Sequence, residues 1–516
     1  MIAGRLKIRF FLLPALILTA LCVLIMASPA SAVTATNVAI GNVSSTDSVL
    51  VVKADVTSDV TIDYGQSPGV YTAIATSNGA TRHELTLSGL DSSSTVYYRI
   101  TIFDSADHGV SITVPEKSFH TSRATGEPFS FAAAGDNRPT SDTTVQPVMW
   151  NTILGQMAGE SLDLMLHVGD IIYGTSTDSL AQNVAKYDGL FAVTTQLTYS
   201  APMYVAAGNH ERLYAANSLA GYEQEFTFPV NNGADAGTYG EHYYSFDNGD
   251  THFIALSTEL NGQWGLITGN QKTWLEQDLA ANEKNWTIVF MHRPLFSGRH
   301  GGDPWVNTGD AAGQQNKADI HALFLQGGVD VVFEGHDHYY LRHVEDGIQY
   351  IITGGGGCSI SATPALGPGD EFAASSYEHV KVDETSTTLE LDVIDSAGAS
   401  LESISMAIPD LSLSLGNVYW ASYSDYVTSS LSVDYDLTNN GVGNAYSLQI
   451  TALSATQGVM PLTATPFSLS DIAAGAAGSM TVNYQIPTGV SVFYGSATAT
   501  CTDDRGFTHQ YPGSYQ

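Results

Sequence analysis

A short apolar run meets a Gly-Asp turn in the stretch Leu164-Met165-Leu166-His167-Val168-Gly169-Asp170-Ile171-Ile172-Tyr173. Its first five residues predict a buried β-strand, because a short apolar run that ends at a turn is typical of a strand inside a sheet. Asp170 follows that strand directly. Where strands alternate with helices, functional side chains gather beyond the carboxyl ends of the strands. Asp170 is therefore a candidate binding or catalytic residue.

The same pattern recurs through the middle of the chain. Further strands are predicted at residues 129–134, 203–206, 286–291, 329–333 and 350–353, and helices at residues 145–157, 271–281 and 317–325. Strands that alternate with helices predict an α/β (α+β) domain, with β-sheets packed as a sandwich and flanked by helices. We expect this central domain to cover residues 125–405.

All-β domains are predicted on both sides of the central domain. Residues 60–65 and 95–102 alternate apolar and polar side chains, so residues 33–124 predict a β-sandwich. Its Gly89-Leu90 and Tyr97 resemble those of a fibronectin type III module. Strands predicted at 434–440, 479–485 and 496–502 indicate a second, immunoglobulin-like sandwich over residues 406–516. This second sandwich is a candidate for binding a surface or a polymer.

The N-terminus has the features of an export signal. Arg5, Lys7 and Arg9 precede an apolar run over residues 10–26, and Ala30-Ser31-Ala32 offers small residues to a signal peptidase. We expect residues 1–32 to be removed and the protein to be secreted, either extracellular or periplasmic. A retained membrane anchor is the alternative. No membrane contact is expected after cleavage, because no later run is long and apolar enough to span a bilayer.

The charge balance restricts the partners of the chain. Its 516 residues include 19 Lys and Arg against 52 Asp and Glu, a formal net charge of −33. Such a surface repels nucleic acid, because nucleic-acid binding relies on clustered cations. An anionic phosphate substrate would need a local source of positive charge, which metal ions can supply.

Candidate metal ligands follow five of the strand-like runs. They are Asp136, Asp170, Tyr173, Asn209, His292, His336 and His338. Each alone has an ordinary explanation, such as a turn former, a helix cap or a hydrogen-bonded histidine. Together they supply two carboxylates, one amide oxygen, three imidazoles and one phenol, which are the donors that a pair of metal ions requires. His336 and His338 are separated by one residue, so on an extended segment they point the same way.

This ordered set resembles that of the calcineurin-like metallophosphoesterase superfamily. The tyrosine that ends Gly169-Asp170-Ile171-Ile172-Tyr173 narrows the resemblance to the purple acid phosphatases. The resemblance implies two metal sites that share one aspartate. Fe(III) would be bound by Asp136, Asp170, Tyr173 and His338. A divalent ion (zinc, iron or manganese) would be bound by Asp170, Asn209, His292 and His336.

The resemblance also implies the reaction, which is the hydrolysis of small phosphate monoesters by an acid phosphatase. Hydroxide generated by the metals would attack phosphorus, and His210 would protonate the leaving group as general acid. His300, on the loop after His292, is a second candidate for binding phosphate or assisting protonation. Arg138 stands where the resembled enzymes usually have Gly. It can be interpreted as a phosphate clamp or as a surface ion pair.

Two other functions fit the same sequence. A phosphodiesterase or a nucleotidase would use the same ligands, since the pocket around the metals selects the ester. A binding or adhesion protein with a vestigial metal site is the alternative of another class, because two sandwiches flank the central domain. Comparing monoester with diester hydrolysis distinguishes the acid phosphatase from the other phosphoester hydrolases. Metal content distinguishes it from a binding or adhesion protein.

Overall fold

The computed structural model describes residues 33–213, 218–297 and 299–515, which form three successive regions. The predicted signal peptide, residues 1–32, lies outside the described residues.

Antiparallel strands build the first region, as the alternating pattern predicts. They are β1 (Ala35–Gly41), β2 (Asp47–Gly65), β3 (Ala73–Ser88), β4 (Thr95–Asp104) and β5 (Ser111–His120). β2 is 19 residues long and pairs with β1, β3 and β4, so it connects the whole sheet. Leu50 and Ile62 of β2 share one buried core with Val96 and Ile100 of β4.

Two sheets make up the middle region. The first contains β6 (Phe129–Ala134), β7 (Leu164–His167), β8 (Met203–Val205), β16 (Glu378–Thr385), β17 (Thr388–Asp395) and β18 (Ser400–Ala407), in the order β18-β17-β16-β6-β7-β8. The second contains β9 (Tyr244–Asn248), β10 (Thr251–Ala255), β11 (Trp286–Phe290), β12 (Val331–Glu334), β13 (Tyr340–Glu345), β14 (Ile348–Thr353) and β15 (Asp370–Ala374), in the order β15-β13-β14-β12-β11-β10-β9. β6, β7 and β8 are parallel to one another, and so are β10, β11, β12 and β14.

Helices pack against these sheets. They are α1 (Val148–Met157), α2 (Leu180–Thr198), α3 (Ala220–Glu225), α4 (Gly269–Ala281) and α5 (Ala311–Gln326). In β11, Ile288 and Phe290 enter the core between the sheets, whereas Val289 enters a second core with side chains of α4 and α5. This alternation is typical of a strand covered on both faces. None of the helices within the described ranges has the length and hydropathy needed to cross a membrane.

The third region is a sandwich of two four-stranded antiparallel sheets. Its elements are β19 (Leu411–Tyr419), α6 (Tyr423–Thr428), β20 (Ser430–Asn439), β21 (Tyr446–Ala455), β22 (Met460–Pro461), β23 (Phe467–Ser468), β24 (Ala477–Gln485), β25 (Gly495–Thr502) and β26 (Thr508–Tyr515). The sheet orders are β19-β20-β24-β22 and β23-β21-β25-β26. Val433 and Val482 from one sheet meet Leu448 and Ile450 from the other in a common core.

Polar contacts join the three regions. The hydroxyl of Tyr98 in the first region donates to the carbonyl of Tyr199 after α2 at 2.7 Å. Arg505 of the third region pairs with Asp330, which is buried just before β12. The central region is therefore contacted by both flanking regions.

Candidate metal centre

The candidate ligands lie just beyond strand ends that meet at one edge of the two central sheets. In chain order they are Asp136 after β6, Asp170 and Tyr173 after β7, Asn209 after β8, His292 after β11, and His336 and His338 after β12. Each sheet therefore contributes ligands, and the carboxylate and imidazole atoms of five of them form two groups, Asp170-His292-His336 and Asp136-Asp170-His338.

His292 lies at the centre of the first group. Its Nε2 is 3.3 Å from Asp170 Oδ1, 3.1 Å from Asn209 Oδ1 and 3.2 Å from His336 Nδ1. Four ligand atoms placed about 2.1 Å from one ion in a tetrahedron are themselves about 3.4 Å apart. The distances from His292 Nε2 therefore match the spacing of ligands around a single metal ion.

Asp170 is shared with a second group. Asp136, Asp170 and His338 each place a ligand atom within 4.8 Å of the others, and His338 Nε2 is 3.6 Å from Asp136 Oδ1. Asp136 is fully buried, and its Oδ1 has no hydrogen-bond partner among the described residues. A buried carboxylate oxygen without a donor is costly unless a cation binds it. The donor set thus fits two ions, with Asp170 placed between them.

The two buried carboxyl groups have opposite pKa shifts. Burial, and then the charge of Asp170, raises the pKa of Asp136 well above its usual value. Burial acts in the same direction on Asp170, but the charges of His292, His210 and Arg138 outweigh it and lower the pKa of Asp170. Adjacent buried carboxyl groups ionise together only when a cation compensates their repulsion.

Two ligand histidines turn their second nitrogen toward a backbone carbonyl. Nδ1 of His292 lies 2.8 Å from the carbonyl oxygen of Val168, and Nδ1 of His338 lies 3.1 Å from that of Ser359. Each Nδ1 therefore carries the proton and leaves the Nε2 lone pair for a metal. Burial lowers the pKa of His292 to about 3 and that of His338 to about 4. Both rings are thus held in the neutral form that binds metals.

The second ring nitrogen of His336 faces a carboxylate, that of Asp303, which no sequence pattern indicated as a site residue. Nε2 of His336 lies 3.0 Å from Asp303 Oδ2, in a close contact that is not a linear hydrogen bond. Arg293 donates to the other oxygen of Asp303 at 2.7 Å. Burial raises the pKa of Asp303, but the contacts with His336 and Arg293 outweigh burial and lower it to about 2. In the sequence, Gly301-Gly302-Asp303 has only the pattern of a turn.

Tyr173, Arg138 and His210 stack beside Asp170. The rings of Tyr173 and His210 have centroids 5.1 Å apart, and Arg138 Cζ lies 5.3 Å from the Tyr173 centroid. Arg138 Nε donates to Asp170 Oδ2 at 3.0 Å, and His210 Nε2 is 4.0 Å from the same oxygen. Because the Arg138 side chain is only 13% exposed, its ion pair lies inside the site and not on the surface.

His300 reaches the cluster from the loop after β11. Its ring centroid is 4.0 Å from that of His336, and its Nε2 is 3.2 Å from Asp337 Oδ1. The other carboxyl oxygen of Asp337, Oδ2, accepts hydrogen bonds from the hydroxyls of Ser297 and Tyr339. The His300 side chain is 37% exposed, so it borders the opening of the site.

The buried side chain of Glu211 connects two of the ligand loops, a role that no sequence pattern indicated. Glu211 accepts the backbone N–H groups of Asp170, Ile171, Ile172 and Gly208 at 2.6–3.2 Å. It lies two residues after the ligand Asn209, in Gly208-Asn209-His210-Glu211. That proximity was the available signal, but the four donors become visible only in the folded chain.

Several ligands have a strained backbone. Asp136, Asp170 and His336 have φ of 55°, 55° and 69°, a conformation that costs a residue other than glycine about 1–3 kcal/mol. Gly169, with φ of 91°, is required for a further reason, because a Cβ there would lie 2.6 Å from the backbone nitrogen of Gly208. Such strain is typical of functional sites, where the surrounding contacts enforce it.

Comparison with known proteins connects the site to phosphoester hydrolysis. Residues 140–340 match the family model of calcineurin-like phosphoesterases. Purple acid phosphatase 22 of Arabidopsis thaliana is 25% identical over 350 residues, which cover 62% of this chain and 71% of that protein. Acid phosphatase type 7 of Homo sapiens is 29% identical over 231 residues, which cover 39% of this chain and 50% of that protein. Purple acid phosphatase PPD1 from yellow lupin (Lupinus luteus) seeds has a solved structure with a TM-score of 0.60 at 18% identity, over 73% of this chain and 74% of that one.

These similarities confirm the predicted fold class. The match to the lupin structure covers most of both chains, and its low identity means that it concerns the fold alone. The residues matched by the family model contain every candidate ligand except Asp136, which precedes them. The aligned segment spans half the length of the human relative.

Proposed function

We propose that this protein is a secreted acid phosphatase, on the premise that residues 140–340 of its central domain match the family model of calcineurin-like phosphoesterases, which are metal-dependent phosphoester hydrolases. It would hydrolyse small phosphate monoesters with the help of two metal ions. The relatives named purple acid phosphatase and acid phosphatase support this reaction class. Secretion rests on the signal peptide predicted at residues 1–32.

The candidate ligands divide into two proposed sites that share Asp170. Fe(III) would be held by Asp136, Asp170, Tyr173 and His338, because carboxylates and a phenolate are hard, anionic donors. A divalent ion (zinc, iron or manganese) would be held by Asp170, Asn209, His292 and His336. When bound, the two ions would attract the phosphate, supply the attacking hydroxide and stabilise the developing charge.

The convergence of donors around His292 is the observation that carries the proposal. Donors of three chemical types, from the ends of β7, β8 and β12, come within 3.1–3.3 Å of His292 Nε2, which itself follows β11. Turn formation, helix capping or core packing would not require a carboxylate, an amide and two imidazoles to meet at one buried point. Metal binding does require it.

His210 is the proposed proton donor to the leaving group. Nδ1 faces the carbonyl of Gly174 at 3.4 Å, so Nε2 is directed toward Asp170 and the two groups of ligands. A proton on Nε2 can then pass to the ester oxygen of a bound substrate. The guanidinium of Arg138, beside the same carboxylate, can donate to the phosphate oxygens. His300, at the opening, is the second candidate for contact with the phosphate.

Substitutions of His210 and Asp170 test this assignment. We expect His210→Gln to keep its metals and hydrolyse aryl phosphates at close to the wild-type rate, yet lose about 100-fold in kcat on alkyl phosphates. The reason is that poor leaving groups depend most on protonation. Asp170→Asn should lose metal and nearly all activity on both esters. His242→Gln, which removes a histidine paired with Glu223, is the control.

The outcomes separate the proposed function from its alternatives. An unchanged rate of His210→Gln on alkyl phosphates would exclude His210 as the general acid. Faster hydrolysis of diesters than of monoesters would favour a phosphodiesterase on the same scaffold. A chain that binds no metal after reconstitution would be a binding protein. Binding of a surface or polymer by residues 406–516, and the absence of nucleic-acid binding, stay predictions.

A further inference from the structure

The three ligand histidines differ in what faces their second nitrogen. His292 and His338 each face a neutral backbone carbonyl. His336 alone faces a carboxylate, with 3.0 Å between its Nε2 and Asp303 Oδ2. A carboxylate partner fixes the tautomer of a ligand imidazole and makes it a stronger donor to the metal. In the proposed divalent site, the second nitrogen of His336 therefore faces a carboxylate, whereas that of His292 faces a carbonyl.

Asp303 is itself held in place by several contacts. Arg293 donates to its Oδ1 at 2.7 Å and pairs on its other side with Glu259, which is fully buried. The backbone of Asp303 lies in a turn, because its N–H donates to the carbonyl of His300 at 2.8 Å and its carbonyl accepts from Asn307 at 2.7 Å. A carboxylate fixed through both its side chain and its backbone can hold a ring in one orientation.

We propose that Asp303 is a positioning residue for His336 and that it sets the affinity of the divalent metal site. With a carboxylate oxygen of Asp303 3.0 Å from Nε2, the proton of His336 is favoured on Nε2, and the Nδ1 lone pair is left on the side of His292 Nε2, 3.2 Å away. Asp303 need not touch metal or substrate. The inference rests on the proposed function, because it assumes that His336 binds a metal.

The test measures how tightly each metal is held in the full-length protein. Wild type, Asp303→Asn and Asp370→Asn are loaded with Zn²⁺ and equilibrated against increasing concentrations of a chelator, and bound zinc is counted at each concentration. Asp370 is a matched control, because its carboxylate pairs with His343 at 2.8 Å outside the ligand cluster. We expect Asp303→Asn to weaken one of the two zinc affinities by about 10–100-fold, with the other within about twofold of wild type. Asp370→Asn should match wild type at both.

A second variant identifies the site that weakens. His336→Ala removes the ligand itself, and adding Asp303→Asn to it should change neither affinity further, since Asp303 acts through His336. Asp303→Ser serves in place of Asp303→Asn if that variant does not fold. It should fold, because Arg293 keeps Glu259 as its partner. It should weaken the same site, because it also removes the carboxylate that faces His336.

Three results would overturn the inference. They are unchanged zinc affinities in Asp303→Asn, equal weakening of both sites, and further weakening when Asp303→Asn is added to His336→Ala. Wild-type protein that binds no zinc at all would instead contradict the proposed function, so the two failures are distinguishable.

Discussion

Glu211 shows how a single buried side chain can hold two ligand loops. Its Oε1 accepts the N–H groups of Ile171 and Ile172, and its Oε2 accepts those of Asp170 and Gly208. Each oxygen therefore faces two donors. An NH₂ group in place of either oxygen would therefore face two N–H donors and could accept from neither.

We expect Glu211→Gln to lower the free energy of unfolding by about 3 kcal/mol, because its amide NH₂ would face two N–H groups and leave them unsatisfied. It should also retain less metal, since both loops carry ligands. Denaturant unfolding and metal content measure the two effects. Glu334→Gln is the matched control, because only one Glu334 oxygen accepts a bond among the described residues, from the N–H of Leu295. Equal losses in the two variants would contradict this role of Glu211.

The sequence indicated the candidate ligands but not the residues that support them. Asp170 and His292 were found because each follows an apolar run, and the donor types together are characteristic of a metal pair. Asp303 and Glu211 act through contacts between loops that are far apart in the chain. Local patterns of turn and charge do not encode such contacts.

At the scale of elements, His252 ties a helix to the edge of the second central sheet. Its Nδ1 is 2.7 Å from Asp247 on β9, and its Nε2 is 2.9 Å from Asp278 on α4. Lys284 also lies at this cluster, 3.7 Å from Asp247, and Glu283 lines the same cavity. Burial lowers the pKa of His252, but the two carboxylates outweigh burial and raise it to about 9.

This contact should make stability depend on pH. A histidine whose pKa is about 9 in the folded chain and about 6.5 in the unfolded chain contributes its full stability below pH 6.5 and loses it as the pH rises to 9. We expect the wild-type free energy of unfolding to fall by at most about 3 kcal/mol over this window relative to His252→Gln. Urea titrations across this range measure it. If the free energy of unfolding changed equally with pH in wild type and His252→Gln, His252 would not make this contribution.

Six of the thirteen strands of the central region were predicted, and seven were missed, namely β9, β10, β13, β15, β16, β17 and β18. All six predicted central strands are present within two residues of their expected ends, because short apolar runs between turns have few other interpretations. α2 (Leu180–Thr198) was missed altogether. Its buried face includes Asn183 and Lys186, and Lys186 donates to Asp178 and to the carbonyl of Tyr173. A helix that buries polar groups against tertiary partners has no clear apolar stripe.

At the scale of the whole molecule, a buried ion pair joins the first region to the central one. Lys53 on β2 lies 2.6 Å from Asp188 on α2 and 2.8 Å from Glu225 on α3. The Glu225 side chain is 2% exposed, so it depends on Lys53 for its countercharge. Removing one partner of a buried pair is costly, whereas replacing both with apolar groups is often neutral.

We therefore expect Lys53→Met to lower the free energy of unfolding by about 3 kcal/mol, and the double variant Lys53→Met/Glu225→Met to recover most of that loss. Thermal and denaturant unfolding of the full-length chain measure both. A double variant no more stable than Lys53→Met would mean that the loss does not come from the unpaired charge of Glu225.

The most direct test of the central claim is the visible absorption spectrum of the purified protein, recorded with its metal content beside that of Tyr173→Phe. A phenolate bound to Fe(III) gives a charge-transfer colour, and the Tyr173 ring stacks on His210 and lies under Arg138, which donates to the ligand Asp170. We expect an iron-containing protein with a broad band in the yellow-green that Tyr173→Phe loses, together with hydrolysis of phosphate monoesters at acid pH. A colourless protein, or a band that survives in Tyr173→Phe, would contradict the assignment of Tyr173 and of the Fe(III) site.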